Sequence, residues 1–270
     1  MTGPEASSDG GPPQGAPRSW PVFATYLLAF VGIVALNLLA LALLHEFYPG
    51  LPEREITLPA LLAGGLASST ALMLALVATV RPLDARRIRL VPGRETGPML
   101  ALIIVGTLAL GQALDSATAI AGLANRGAIV EIRRALEGAT GADLFAAVLV
   151  IGPIAGTAEE IFFRGFMQTA LGAVWRPAIA VAVTAAAFAL LHVEPIHATQ
   201  ALALGLWFGA VTAGTGSALP AVAAHVVNNV VFTVLTALSV TIEGIGPNLA
   251  VGASSVVAFV GVAIALRHHR

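Results

Sequence analysis

Long apolar segments separated by short polar stretches run along almost the whole chain. A transmembrane helix needs about 20 consecutive, mostly apolar residues. Eight segments meet or approach that length. They span residues 22–44, 58–80, 97–118, 142–165, 178–195, 197–215, 218–240 and 248–266. The pattern predicts an all-α fold, a polytopic membrane bundle of about eight transmembrane helices that forms a single transmembrane domain over residues 20–270.

Two stretches depart from this pattern. Residues 1–19 are rich in Pro, Gly and Ser, which predicts a disordered cytoplasmic tail, because such a segment cannot bury an apolar core. Residues 119–141 alternate charged and apolar side chains, with Arg126, Glu131, Arg133, Arg134 and Glu137 around Ile129, Ile132 and Leu136. An amphipathic helix at the membrane interface and a solvated helix in a loop both explain the second stretch.

Composition supports a membrane protein and excludes other classes. The chain is 57% hydrophobic and 11% charged, with a mean hydropathy of +0.87, whereas soluble domains carry about 25% charged residues. The net charge of −1 gives no argument for nucleic acid as a partner. The absence of cysteine excludes disulfides.

The distribution of arginine predicts the orientation in the membrane. The connection after the second segment carries Arg81, Arg86, Arg87, Arg89 and Arg94, whereas the connection before it is acidic. Arginine-rich connections stay in the cytoplasm. Eight crossings then place both termini there, and the C-terminal RHHR agrees.

The fourth segment contains the stretch AGTAEEIFFRGFM, residues 155–167, with three ionisable residues where lipid is expected. Charges at this depth are costly and usually functional. Glu160 and Arg164 are four residues apart and share a helix face, so they are predicted to pair. Glu159 points about 100° away and is left unpaired. A carboxylate in a low-dielectric cavity can act as a base near neutral pH.

Two later segments carry further polar groups. FALLH places Phe188 and His192 on one face of the fifth segment, and HVVNN places His225 and Asn229 on one face of the seventh. Polar groups in membrane helices usually face the bundle interior or a water-filled cavity. We therefore predict one aqueous pocket formed by Glu159, His192, His225 and Asn229. Asp115 and Gln112 are assigned to contacts between helices, and Glu194 and His197 to the interface.

These motifs resemble those of the CPBP family, the type II CAAX prenyl endopeptidases and their bacterial relatives linked to bacteriocin processing and self-immunity. EEIFFR matches EExxxR, FALLH matches FxxxH and HVVNN matches HxxxN, and the resemblance covers residues 142–240. It implies an endopeptidase that cuts a membrane-associated peptide or a lipid-anchored protein near the cytoplasmic side, in contact with membrane lipids, in a bacterial cell membrane.

The resemblance also implies roles for the motif residues. Glu159 and His192 activate water, while His225 and Asn229 stabilise the oxyanion. Glu160, Arg164 and Phe188 support them.

The family is usually labelled a metalloprotease, so a divalent metal such as zinc is a candidate cofactor. Two histidines and one glutamate match a catalytic zinc set, which makes Glu159, His192 and His225 the candidate ligands. The HExxH motif, which presets two ligands on one helix, is absent from the sequence. Reaction with a metal and reaction without one both stay open.

Two other classes of function fit parts of the pattern. A non-enzymatic immunity or partner-binding membrane protein would keep the pocket for binding alone. A proton-coupled transporter would use intramembrane Glu and His as a proton relay, but the sequence shows no paired broken helices or repeat symmetry.

Overall fold

The computed structural model describes residues 19–50 and 56–268, and the regular elements in these ranges are all helices. They are α1 Trp20–Phe47, α2 Leu58–Thr79, α3 Gly97–Ile120, α4 Gly127–Leu136, α5 Gly141–Gly172, α6 Pro177–Leu190, α7 Pro195–Thr215, α8 Leu219–Ala237 and α9 Ile245–His268. The all-α membrane bundle is confirmed. The predicted tail lies outside the described residues, apart from Ser19.

Seven helices of the described part are long and apolar enough to cross a membrane, and α4 and α6 are not among them. Two of the helices begin at a capping threonine that can be identified in the sequence. Thr57 and Thr96 cap α2 and α3 by accepting the backbone N–H of Ala60 and Met99. At the other end of a helix, α7 stops at Gly216, whose φ of 78° favours glycine.

Helix α5 is longer and less regular than the sequence predicted. It continues to Gly172, so the predicted end at residue 165 is wrong. Arg164 and Gln168 interrupt the apolar pattern, yet both are buried, and Gln168 donates to the Gly209 carbonyl at 2.9 Å. Two stretches of α5, Val150–Gly156 and Ile161–Met167, are π-helical. Pro153 lies in the first and has no N–H for a regular helical bond.

Helix α6 ends at Leu190, five residues before the predicted limit of 195. Its 14 residues rise about 21 Å, which is less than the roughly 30 Å of a bilayer core. The chain then turns at Val193, whose φ is 54°, and Pro195 starts α7. His192 therefore follows a helix that stops short of a full crossing.

Contacts between the connecting segments show which helix termini lie together at each of the two ends of the bundle. At the arginine end, residues 80–96 lie across the α7–α8 turn, where Arg94 donates to the Gly214 carbonyl at 2.7 Å and Ala218 donates to the Arg89 carbonyl at 2.9 Å. At the α4 end, the connections before and after α4 meet the α6–α7 turn and the end of α8. There Gly138 donates to the Ala237 carbonyl at 3.0 Å and Glu194 lies against Gly127.

Helix α4 packs on the bundle as an amphipathic helix. Leu136 is buried, whereas Arg134 faces outward with 69% of its side chain exposed. This favours the amphipathic interpretation of residues 119–141 over a solvated helix in a loop. The helix covers one end of an internal cavity, described next.

Candidate active site

A buried ion pair anchors the site. Arg164 Nη1 donates to Glu160 Oε1 at 2.8 Å, and both side chains are 0% exposed. Arg164 Nη2 also donates to the Gly205 carbonyl at 3.1 Å. The guanidinium carbon lies 4.7 Å from the centroid of the Phe188 ring, which adds a cation–π contact. The predicted Glu160–Arg164 pair is thus present and held by neighbouring helices.

His225 joins this pair, a contact that the sequence analysis did not anticipate. Its Nδ1 lies 2.9 Å from Glu160 Oε1. A carboxylate paired with arginine only accepts hydrogen bonds, so Nδ1 carries the hydrogen and donates it. The other ring nitrogen, Nε2, then faces Glu159 Oε2 at 3.7 Å. That distance is too long for a direct hydrogen bond.

Glu159 differs from Glu160 as the sequence predicted. Its side chain is 22% exposed and lines the cavity, whereas Glu160 is sealed in the ion pair. Among the described residues, the ionisable side chain that comes near its carboxylate is His225, whose Nε2 lies 3.7 Å from Glu159 Oε2. The carboxylate of Glu159 therefore remains open to a small molecule in the cavity.

His192 is held in place by the preceding helix, α6, and by two rings. Its Nδ1 lies 3.0 Å from the Phe188 carbonyl, which can only accept, so Nδ1 carries the hydrogen and Nε2 is left free. The His192 ring centroid lies 4.8 Å from that of Phe188 and 4.5 Å from that of His197. The FALLH spacing thus produces both the backbone bond and the ring contact.

Asn229 is partly committed to structure. Its Nδ2 donates to the Ile151 carbonyl, in the first π-helical stretch, at 2.9 Å. An amide nitrogen carries two hydrogens, so one remains available. Neighbouring Asn228 is buried, and its Oδ1 has no hydrogen-bond partner among the described residues.

One cavity of about 660 Å³ brings the four predicted residues together, since Glu159, His192, His225 and Asn229 all line it. Seven polar residues that the sequence analysis had not placed in the pocket line it as well: Ser68, Asp115, His197, Gln200, Asn228, Thr233 and Thr236. Asp115 carried a signal, because an ionisable residue inside a span is a candidate for function by default. His197 did not, since its place beside His192 depends on the turn at Val193.

The donor atoms of the site fit a metal only in part. The donor types suit zinc, and each histidine donates its Nδ1–H to an oxygen, as metal-binding histidines usually do. Within residues 19–50 and 56–268, however, no three His, Asp or Glu side chains lie close enough to hold an ion. The expectation of a bound divalent metal stays a prediction.

Comparison with known proteins agrees with the motifs. Residues 141–231 match the family model of the Rce1-like type II CAAX prenyl endopeptidases. The match begins with α5 and ends within α8, so it contains all three motifs. No curated protein matches the chain. At the level of the family, the match supports a CAAX-protease-like membrane endopeptidase. The chain is thus an integral, multi-pass membrane protein whose residues 141–231 are similar to the Rce1-like type II CAAX prenyl endopeptidases.

Proposed function

We propose that this protein is an intramembrane endopeptidase that hydrolyses a peptide bond of a membrane-associated or lipid-anchored substrate. One observation carries the proposal. A single cavity presents an open carboxylate, Glu159, together with His192 and His225, each of which directs its Nδ1–H elsewhere and keeps Nε2 free. Meanwhile Arg164 neutralises the second glutamate.

Glu159 is the proposed general base. It takes a proton from a water molecule in the cavity, and the oxygen of that water forms a bond to the scissile carbonyl carbon. The free Nε2 of His192 accepts the second hydrogen of the water and orients it. A general base of this kind contributes about 10²- to 10⁴-fold to the rate.

His225 and Asn229 are the proposed oxyanion donors. Because His225 gives its Nδ1–H to Glu160, it donates from Nε2 only as an imidazolium, a cation flanked by Glu159 and Glu160. Asn229 offers the amide hydrogen that Ile151 does not use. Donors of this kind contribute about 3 kcal/mol each to transition-state stabilisation.

The tetrahedral intermediate then collapses. Glu159 returns its proton to the leaving amine nitrogen, the C–N bond breaks, and a carboxylic acid and an amine result. Glu160, Arg164 and Phe188 take no proton in this scheme. They fix the two imidazoles through the 2.9 Å bond to His225 and the ring contact to His192.

The direct test is Glu159→Gln, which keeps the shape of the side chain but cannot accept a proton. Membrane peptidomes of cells with and without the protein identify a substrate peptide. The rate at which each purified variant cleaves this peptide is then measured. We expect Glu159→Gln and His192→Ala to lose about 100-fold or more of the rate, while Glu131→Gln, on the outer surface of α4, cleaves normally. Thermal unfolding checks that all three fold.

Undiminished cleavage by Glu159→Gln would remove the mechanism. If the protein protects cells against a bacteriocin, and Glu159→Gln still protects them although it no longer cleaves the peptide, the cavity serves partner binding instead. Metal content of the purified protein, together with cleavage in the presence of chelators, decides whether a divalent ion takes part.

A further inference from the structure

The walls of the cavity differ in chemistry. Helix α2, which packs on α1 and α5, contributes mainly apolar side chains and backbone, at Ala60, Leu61, Gly64 and Gly65. Helices α3, α7 and α8 pack on one another and contribute polar side chains instead. Three of these, which we call the polar wall, are Asp115, Gln200 and Asn228.

Asp115 is the charged residue of the polar wall. The sequence analysis assigned it to a contact between helices, but within the described ranges its carboxylate forms neither a hydrogen bond nor an ion pair. The cation whose charge acts on it is Arg133 of α4, which forms no ion pair with it. Among the described residues, the lining of the cavity holds no lysine or arginine. A carboxylate in such a place is costly unless a cation accompanies it.

Asn228 adds an acceptor without a partner. Its side chain is 7% exposed, and its Oδ1 has no hydrogen bond from the residues that the structure describes. This oxygen lies beside Gly111, where a methyl group would approach it to 2.8 Å. Gly111 and Asp115 are four residues apart and share a face of α3. The amide of Asn228 therefore lies about one helical turn, roughly 6 Å, from the position of Asp115.

Gln200 extends the polar wall on the other side of Asp115. Its Nε2 donates to Thr118 Oγ1 at 3.0 Å, three residues after Asp115 on α3. The amide oxygen of Gln200 is thereby left to accept a hydrogen bond from a ligand. The polar wall thus offers a carboxylate and two amide oxygens along one face of α3. Such a set of acceptors suits a cation that is rich in N–H groups, an ammonium or a guanidinium.

We propose that the polar wall is a specificity subsite that binds a lysine or arginine side chain of the substrate, with Asp115 as the counter-ion. The proposal rests on the proposed function, because the subsite belongs to the same cavity. Asn228 precedes Asn229, so the subsite begins next to a proposed oxyanion donor. An extended peptide advances about 3.3 Å per residue. The roughly 6 Å from Gly111 to Asp115 therefore places the basic residue within about three residues of the scissile bond, while α2 contacts apolar residues of the same peptide.

A binding experiment tests the subsite without hydrolysis. The probes are the peptide acetyl-Leu-Leu-Lys-Leu-Leu-amide and the same peptide with Gln in place of Lys. Calorimetry measures the binding of each to the full-length Glu159→Gln variant in detergent, in which Asp115 is the remaining carboxylate of the cavity lining. We expect the Lys peptide to bind about tenfold or more tightly than the Gln peptide, and Asp115→Asn in the same background to abolish this preference. Equal affinities, no binding of either peptide, or a preference that survives Asp115→Asn overturns the proposal.

Arg133 provides the control for a purely structural role of Asp115. If Asp115 served only to hold α4 through the charge of Arg133, then Asp115→Asn and Arg133→Met would change the binding of both peptides alike. We expect Arg133→Met to keep the preference for the Lys peptide. Loss of the preference in Arg133→Met, at unchanged thermal unfolding, assigns Asp115 to α4 and overturns the subsite.

Cleavage then tests the subsite in the reaction. Membrane peptidomes are compared for cells that express the wild type, Asp115→Asn, or the control Asp143→Asn at the exposed start of α5. We expect lysine or arginine to be enriched within three residues of the sites cut by the wild type and the control, and this enrichment to be lost in Asp115→Asn. Cleavage by the wild type without the enrichment overturns the subsite and leaves the proposed function intact. Absence of cleavage by the wild type contradicts the proposed function, while the binding result still decides the subsite.

Discussion

At the scale of single residues, one carboxylate oxygen holds two side chains of the site in place. Glu160 Oε1 accepts from Arg164 at 2.8 Å and from His225 at 2.9 Å, so one atom fixes both the cation and the imidazole. The same network leaves Glu160 Oε2 and Arg164 Nε buried without hydrogen-bond partners among the described residues. Incompletely satisfied buried charges are costly. This pair therefore makes more sense as a positioning device than as a source of stability.

Removing one partner of the pair should be much more harmful than removing a surface charge. In Arg164→Met, Glu160 remains buried without its cation, and we expect the free energy of unfolding to fall by about 3–5 kcal/mol. The matched control is Arg134→Met, which breaks the exposed pair with Glu131 and should change it by less than about 1 kcal/mol. Equilibrium unfolding in detergent measures both. Similar effects in the two variants would contradict the cost assigned to the buried pair.

The sequence could predict those residue contacts that depend on local spacing. The i,i+4 interval was enough for Glu160 with Arg164 and for the division between the two glutamates. It was not enough for the bond from His225 to Glu160, because 65 residues separate them and helix packing brings them together. The contact between His192 and His197 depends on a positive φ at Val193, which a β-branched residue does not signal.

At the scale of elements, hydropathy located helices well where polarity and burial agree. Helix α2, predicted at residues 58–80, spans Leu58–Thr79, and α3, predicted at 97–118, spans Gly97–Ile120. The prediction located the start of α5 but missed its end, where charged and amide side chains are buried and paired inside the bundle. Its π-helical stretches also lie outside what a 3.6-residue period can show, and such stretches are frequent at functional sites.

The second π-helical stretch of α5 is packed so closely that it leaves no room for a side chain at Gly165. A methyl group there would lie 2.8 Å from the Ile88 carbonyl oxygen, so backbone must move. We expect Gly165→Ala to destabilise the protein by about 1–3 kcal/mol. Gly172, in the same helix, offers the control, because a methyl group there meets Ala180 at an ordinary 3.9 Å. Gly172→Ala should be neutral or slightly stabilising. Thermal unfolding of both compares them, and equal stability would show that the arginine-rich connection is not packed on α5.

At the scale of the whole molecule, the bundle combines a packed part, which we call the packed half, with a part that surrounds the cavity. Most residues of the two buried apolar clusters lie towards the arginine end, whereas the 660 Å³ cavity extends to α4. The packed part meets the cavity at Leu72, Phe188, Ala201 and Phe208, which belong to both. Glu159, Glu160 and His225 lie at the boundary, where the packed half fixes the side chains that the cavity exposes.

This division predicts uneven hydrogen exchange. Local opening is easier where fewer buried contacts oppose it. Amides of residues 161–172, within the packed half, should therefore exchange on the order of tenfold or more slowly than those of residues 191–197 and 232–237, beside the cavity. Exchange followed by mass spectrometry on the full chain in detergent micelles measures this without a membrane to shield either end. Glu159→Gln should show the same contrast, because the difference arises from packing and not from catalysis. Equal protection of the three segments would mean that the cavity is closed to water, and hydrolysis within it would then have no source of water.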